Sequence, residues 1–279
     1  MRGTRRTALV LLSLGAFALA GCGPDSSKAG GNADGKADTL ALMRSDAKGS
    51  IQKAADNSGK ATSVALTMSG TADGEPLKGR GVVALGGPLK AELVIEDATD
   101  GPGTIRMLGT TFYVQIPAKD RADMDGKSWM KLDLAAASGQ QAAGEVARQL
   151  DHMNPAKQVQ MLVDSGSVTA VGEETVNGAK TIHYAGTMPV STYLGQLDPS
   201  IRSQVEKTLN EKSVKEAKVD LWVDEQYNLR RSRSVLGTTT DLTVDYTDYN
   251  KPVTVEAPPA AETFDFAEMM NKLKSGITG

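Results

Sequence analysis

One cysteine stands in the 279 residues, Cys22, and its setting decides what a thiol could do there. It lies between the apolar run "ALVLLSLGAFALAG" and the polar string "GPDSSKAGGNADGKA". A thiolate is a strong nucleophile, and the small Ala20 and Gly21 before it leave the backbone open to a processing peptidase. A single thiol rules out an internal disulfide. The two histidines, His152 and His183, fall short of a His/Cys metal site. His183 in "KTIHYAG" points away from Ile182 and Tyr184 and reads as a surface or sheet-edge residue. The "DSGS" stretch, Asp164 to Ser167, has the composition of a nucleophile loop, but it follows a helix pattern and precedes a strand, so a turn is expected. "DRADMDGKSW" places acids near a glycine without the spacing of a calcium loop, and Asp125-Gly126 there reads as a hairpin turn. No Gly-rich loop follows a strand and opens a helix, so phosphate cradling is not expected either. These residues predict a protein that is not an enzyme and uses no metal or cofactor.

What Cys22 does predict is an anchor. Arg2, Arg5 and Arg6 form a basic start, and residues 8–20 give about thirteen apolar or small positions, a signal-peptide core shorter than the ~20 residues a membrane-spanning helix needs. Leu19-Ala20-Gly21-Cys22 resembles the lipobox of bacterial lipoproteins. That resemblance implies diacylation of the Cys22 sulfur and cleavage before it. Two chains, at ~0.8 kcal/mol per buried methylene, hold a protein where one chain is marginal. Thr4-Arg5-Arg6-Thr7 also has part of a twin-arginine signal, which leaves the export route open. The expected organisation is a signal peptide at 1–21, the lipidated cysteine with a flexible tether at 22–37, and a single domain at 38–279. The tether has an r.m.s. reach of roughly 20 Å.

Removing residues 1–21 takes away three arginines and no acid, leaving 28 basic against 34 acidic side chains, a formal −6. That balance excludes the basic footprint of a nucleic-acid partner. The densest positive cluster, Arg230, Arg231 and Arg233, reads as a solvated sheet face, with a lipid-headgroup contact as the alternative. Eleven methionines against four phenylalanines suit either ordinary core filling or a pocket for variable apolar ligands.

The elements that must carry these residues alternate with period two over most of the chain. Strands are expected at 61–69, 79–86, 89–97, 103–109, 111–117, 127–133, 167–174, 179–188, 216–224, 228–236 and 239–248, parted by Gly-, Asp- or Asn-rich turns. Asn177-Gly178 is the sharpest hairpin signal. Helices are expected at about 40–55, at 134–164 with a break at Asn154-Pro155, at 189–211 with a restart at Pro199, and at 265–274. The fold class is α+β: one large curved antiparallel sheet, a half-barrel of about eleven strands, with helices laying their apolar stripes over its concave face.

"TFYVQIP" at 111–117, "SWMKLDL" at 128–134, "ETVNGAKTIHYAGTMPV" at 174–190, "VDLWVDEQYNLRRSRS" at 219–234 and "VDYTDYNKPVTVEAPPA" at 244–260 resemble, in this order, the LppX/LprA/LprF/LprG group of actinobacterial lipoproteins within the LolA/LolB-like superfamily. The resemblance implies a sheet plugged by helices, a hydrophobic cavity that holds acyl chains, and a role in carrying lipids or lipid-linked molecules, such as acylated glycolipids, at the outer face of the cytoplasmic membrane. It brings no catalytic residue. Strand alternation makes Leu66, Met68, Leu93, Ile95, Val114, Ile116, Leu221 and Val223 the candidate lining, with Leu194 and Leu197 from the second helical insert. The alternative is a structural or signalling lipoprotein that binds another envelope protein. It predicts a solid core and a contiguous exposed apolar patch.

Overall fold

The computed structural model of the chain describes residues 34–72, 74–88, 90–97, 101–135, 154–197 and 199–268. Cys22, the leader, most of the tether, His152 and the first half of the 134–164 insert lie outside them. All eleven expected strands are present: β1 Ser63–Ala72, β2 Glu75–Ala84, β3 Lys90–Asp97, β4 Gly101–Leu108, β5 Thr111–Gln115, β6 Trp129–Asp133, β7 Thr169–Val176, β8 Ala179–Pro189, β9 Glu216–Asp224, β10 Leu229–Leu236 and β11 Thr240–Thr247. A twelfth, β12 Thr263–Asp265, pairs in parallel with β6. Three residues carry no readable period, which is why the sequence did not announce it.

The strands form one sheet in the order β12-β6-β5-β4-β3-β2-β1-β11-β10-β9-β8-β7. Two meanders, β1–β6 and β7–β11, are joined where β1 pairs with β11, Leu66 opposite Tyr246 and Met68 opposite Val244. Asn177 (φ 49°) and Gly178 (φ 78°) are both left-handed, as a two-residue hairpin that matches the strand twist requires. The sheet has more strands than twisted open sheets usually hold without curling.

The expected helix over 40–55 is two helices, α1 Asp34–Ser45 and α2 Ala47–Ser58. Asp46 separates them because its side chain caps α2, accepting from the Gly49 amide at 3.0 Å. Any Cβ at Gly49 would collide with that carboxylate. The described half of the first insert is α3 Pro155–Asp164, capped by Asn154 with Pro155 in its first turn. The second insert is α4 Val190–Gln196 and α5 Pro199–Glu211. Residues 266–268 are helical, and 269–279 lie outside the described residues.

Alternation gives the sheet one apolar face, and α1 to α4 pack against β7–β10. Tyr184, fully buried on β8, donates its hydroxyl to the Met43 carbonyl at 2.9 Å, which satisfies an orphan carbonyl at the end of α1. Gly186 on the same strand lets α3 approach, since a Cβ there would lie 2.3 Å from Leu162 Cδ1. The core gathers beneath these helices around Leu221, Val223, Ile182, Leu162 and Met43. Met43, Met68, Met107 and Met188 are all buried in it, so four of the methionines serve as core filling.

A candidate ligand site on the open half of the sheet

Cross-strand register lines up the apolar face in rows. One row runs Leu66, Gly81, Leu93, Ile105, Val114, Met130, Phe264 across β1 to β6 and β12. The next runs Met68, Gly79, Ile95, Gly103 in one direction and Val244, Ser232, Leu221, Tyr184 in the other. The eight strand residues expected to line a site thus share one face. They differ in what lies above them. Leu66, Leu221 and Val223 are packed in the core with Met68 and Leu93, and Leu194 and Leu197 of the second insert join the same cluster. Toward β4–β6, beyond the buried Met107, the burial falls away: Ile105, Phe112, Val114, Met130, Leu132 and Phe264 are all only half-buried.

At the end of this half, Ile95, Val114 and Ile116 line a cavity of about 300 Å³. That is at the lower bound of small-ligand pockets, which span ~300–1,000 Å³. The other described residues of its wall are Gly101 to Ile105, Gln115, and the turn Pro117, Ala118 and Arg121, none of which sequence reasoning had put in a site. Ile105 was within reach, because it alternates with Met107 in an expected strand. Gly103 helps keep the space open: a Cβ there would meet no atom within 4 Å. Arg121 lies in a 3-10 helix, Ala118–Met124, that follows β5. Its Nε donates to the Ile116 carbonyl at 3.2 Å and ties the turn to the strand end.

The other face of the sheet is polar and pairs with itself. Arg106 meets Glu92 directly across β3 and β4 and stacks over Trp129. Lys131 meets Asp265 at 2.8 Å, and Arg233 makes a two-point pair with Asp241. Arg231 does the same with Asp245. Arg230 stands beside the buried Asp224, so all three members of the arginine cluster face carboxylates, and for Arg231 and Arg233 this favours the solvated-face reading over a headgroup contact. His183 is neither at an edge nor fully at the surface. It sits on β8, one strand in from the sheet edge, stacked on Trp222 at 4.3 Å, with its ring nitrogens 2.9 Å from Glu174 and 2.8 Å from Asp220. Trp222 also donates to Glu174, and that hydrogen bond, with smaller help from His183, holds the Glu174 carboxyl below the usual range. The "DSGS" stretch is the turn from α3 into β7, with the Ser165 hydroxyl on the Leu162 carbonyl. Among the described residues no group of three His, Cys, Asp or Glu is placed to hold a metal ion, and no helix is long and apolar enough to cross a membrane.

No protein-family model matches the chain. An uncharacterised 31.2 kDa protein of Streptomyces griseus is 30% identical over 213 residues, 73% of this chain and 68% of that protein. A Streptomyces coelicolor protein named as a candidate lipoprotein is 30% identical over 184 residues, 60% of this chain and 56% of the relative. Among solved structures, the lipoprotein LppX of Mycobacterium tuberculosis superposes with a TM-score of 0.51 at 17% identity, covering 75% of this chain and 97% of LppX. LprF of Mycobacterium bovis gives 0.53 at 13% identity, covering 77% and 98%. At these identities the likeness is one of fold, and it is the fold that the sequence resemblance implied.

Proposed function

We infer that this chain, which belongs to the family of the Streptomyces griseus 31.2 kDa protein and has the fold of LppX and LprF, is a lipid-anchored binding protein. An acylated Cys22 holds it at the outer face of the cytoplasmic membrane. There it shields the apolar chains of a lipid or acylated glycolipid against the half of its sheet that runs from β3 to β6. The observation that carries this reading is the row Leu93, Ile105, Val114, Met130, whose burial falls from packed core to half-exposed strand as it approaches the cavity. Apolar surface left in water costs ~25 cal/mol per Å², so a hydrocarbon chain laid along this row is stabilised by the area it covers. The competing reading, a docking surface for an envelope protein, calls for a contiguous exposed apolar patch. Among the described residues the exposed large apolar side chains are Leu42 and Val171, one on a helix and one on the edge strand.

The test is native mass spectrometry of the chain carrying Cys22→Ser, expressed for export, beside the same chain with Gly103→Leu. Gly103 lines the cavity and has open space where a side chain would begin, so leucine is placed there to fill the site. A lipid-sized adduct on the first protein that is lost from the second supports the reading. No adduct on either, with no uptake of an added fluorescent fatty acid, overturns it.

A further inference from the structure

Among the twelve described residues that line the cavity Arg121 is the one charged side chain, and none of them carries a carboxylate. Its Nε is committed to the Ile116 carbonyl, which fixes the guanidinium plane against the end of β5. No ion pair joins it to any described residue. This sets it apart from Arg106, Arg231 and Arg233 on the opposite face, each of which lies on a carboxylate. Arg202 is also half-buried without a carboxylate, but its Nη2 is taken up by the Gly195 and Leu197 carbonyls, whereas Arg121 stands half-buried in the wall of a cavity. A guanidinium so placed keeps two terminal nitrogens in fork geometry for an incoming oxyanion, with a partner attraction strengthened by the reduced local dielectric.

We propose that Arg121 selects the ligand by its head: the cavity takes a single-chain end that bears an anionic group, a carboxylate or a phosphate, with the hydrocarbon running from there along Ile105 and Val114. The proposal rests on the lipid-binding reading above and adds the class of molecule. About 300 Å³ is room for roughly ten groups of the size of a water molecule's share of liquid volume, ~30 Å³ each, so medium-length chains are the fitting probes.

Dodecanoate, dodecyl phosphate and dodecanol share one tail and differ in the head. Their binding to the chain carrying Cys22→Ser is measured by displacement of a fluorescent fatty acid, and repeated with Arg121→Gln and Arg121→Lys. The expected result is that both anions bind the parent chain roughly ten- to a hundredfold more tightly than dodecanol, the range that charge-assisted hydrogen bonds span. Arg121→Gln removes that preference and leaves dodecanol unchanged, while Arg121→Lys keeps part of it. A preference for one anion over the other says whether the head is a carboxylate or a phosphate. Equal binding of all three by the parent chain, or a preference that survives Arg121→Gln, overturns the assignment to Arg121 and leaves the lipid-binding reading standing. If neither dodecanol nor the anions bind, the lipid-binding reading fails and this one with it. Thermal melts of the two variants that match the parent show that a lost preference is not a lost fold.

Discussion

Replacing Gly81 with alanine measures how tightly β2 and β3 approach at the start of the half-buried part of the sheet. Gly81 lies in the row between Leu66 and Leu93. An added Cβ would sit 2.4 Å from the Glu92 carbonyl oxygen and 2.5 Å from Leu93 Cδ2. The leucine methyl can swing aside. The carbonyl belongs to the β3 ladder and moves only if the strand pair moves. Overpacking of this kind costs ~1–3 kcal/mol, and the entropy that alanine removes from the unfolded chain returns ~0.4–1 kcal/mol. The net expectation is a loss of about 1–2 kcal/mol. For a domain of this size each kcal/mol moves the melting temperature by ~2–4 °C, so the midpoint falls by roughly 2–8 °C. Gly87 is the control: it has no left-handed φ, and its Cβ would meet no atom within 4 Å, so Gly87→Ala is expected to hold or slightly raise the midpoint. Circular dichroism melts of the parent and the two variants, with urea midpoints at constant slope, give the comparison. A Gly81→Ala protein that melts with or above the parent refutes the close approach. Equal losses at both glycines refute the steric account as well.

Three further outcomes follow from named contacts. Tyr184→Phe leaves the Met43 carbonyl without its donor in a buried site, at a cost of about 1–3 kcal/mol, read as a lower urea midpoint with faster amide exchange in α1. Burial pushes the Tyr184 phenol up to about 12, so the loss should be the same at pH 6 and pH 9, and a loss that fades at the higher pH refutes the assignment. Lys131 holds the Asp265 carboxyl below its usual range, chiefly by its hydrogen bond, and Arg233 does the same for Asp241. A carboxylate with a depressed folded pKa contributes stability that is present above its unfolded value, ~3.9, and is lost as pH falls through the folded one. Urea midpoints should therefore drop from pH 5 to pH 2.5, and Asp265→Asn should flatten that drop; an unchanged slope in the variant counts against the pair. Finally, the proposed acyl anchor on Cys22 predicts that Cys22→Ser moves the exported protein from the membrane fraction to the soluble one. Retention on washed membranes would show that something else holds it.

How much of this was open to a reader of the sequence depends on the length over which each signal acts. The strands were legible because alternation and turn chemistry are local: Val64, Leu66 and Met68 declare a face within five residues, and Asn177-Gly178 declares its hairpin within two. The cap that splits α1 from α2 is local too, but it hides in a polar stretch where Asp46 and Gly49 look like any helix surface. The cavity is of another kind. Leu66 and Val114 share one row and one alternation pattern, yet one is packed and the other half-exposed. Leu66 joins the core cluster to which α1, α2 and α3 bring Met43, Ile51 and Leu162, and the cover of those helices falls on β7–β10, strands more than a hundred residues from α1 and α2. No period in the sequence records which strands receive it. The same limit explains Arg121, which sequence reasoning met only as a spacer between acids in "DRADMDGKSW". Its meaning comes from the Ile116 carbonyl that holds it at the mouth of an apolar space, an arrangement that exists only once β5 ends and the chain turns back. An alternating strand pattern thus supplies a hydrocarbon-compatible wall at every strand, and which part of that wall becomes packed core is decided by contacts with elements distant in the chain, which no local period records.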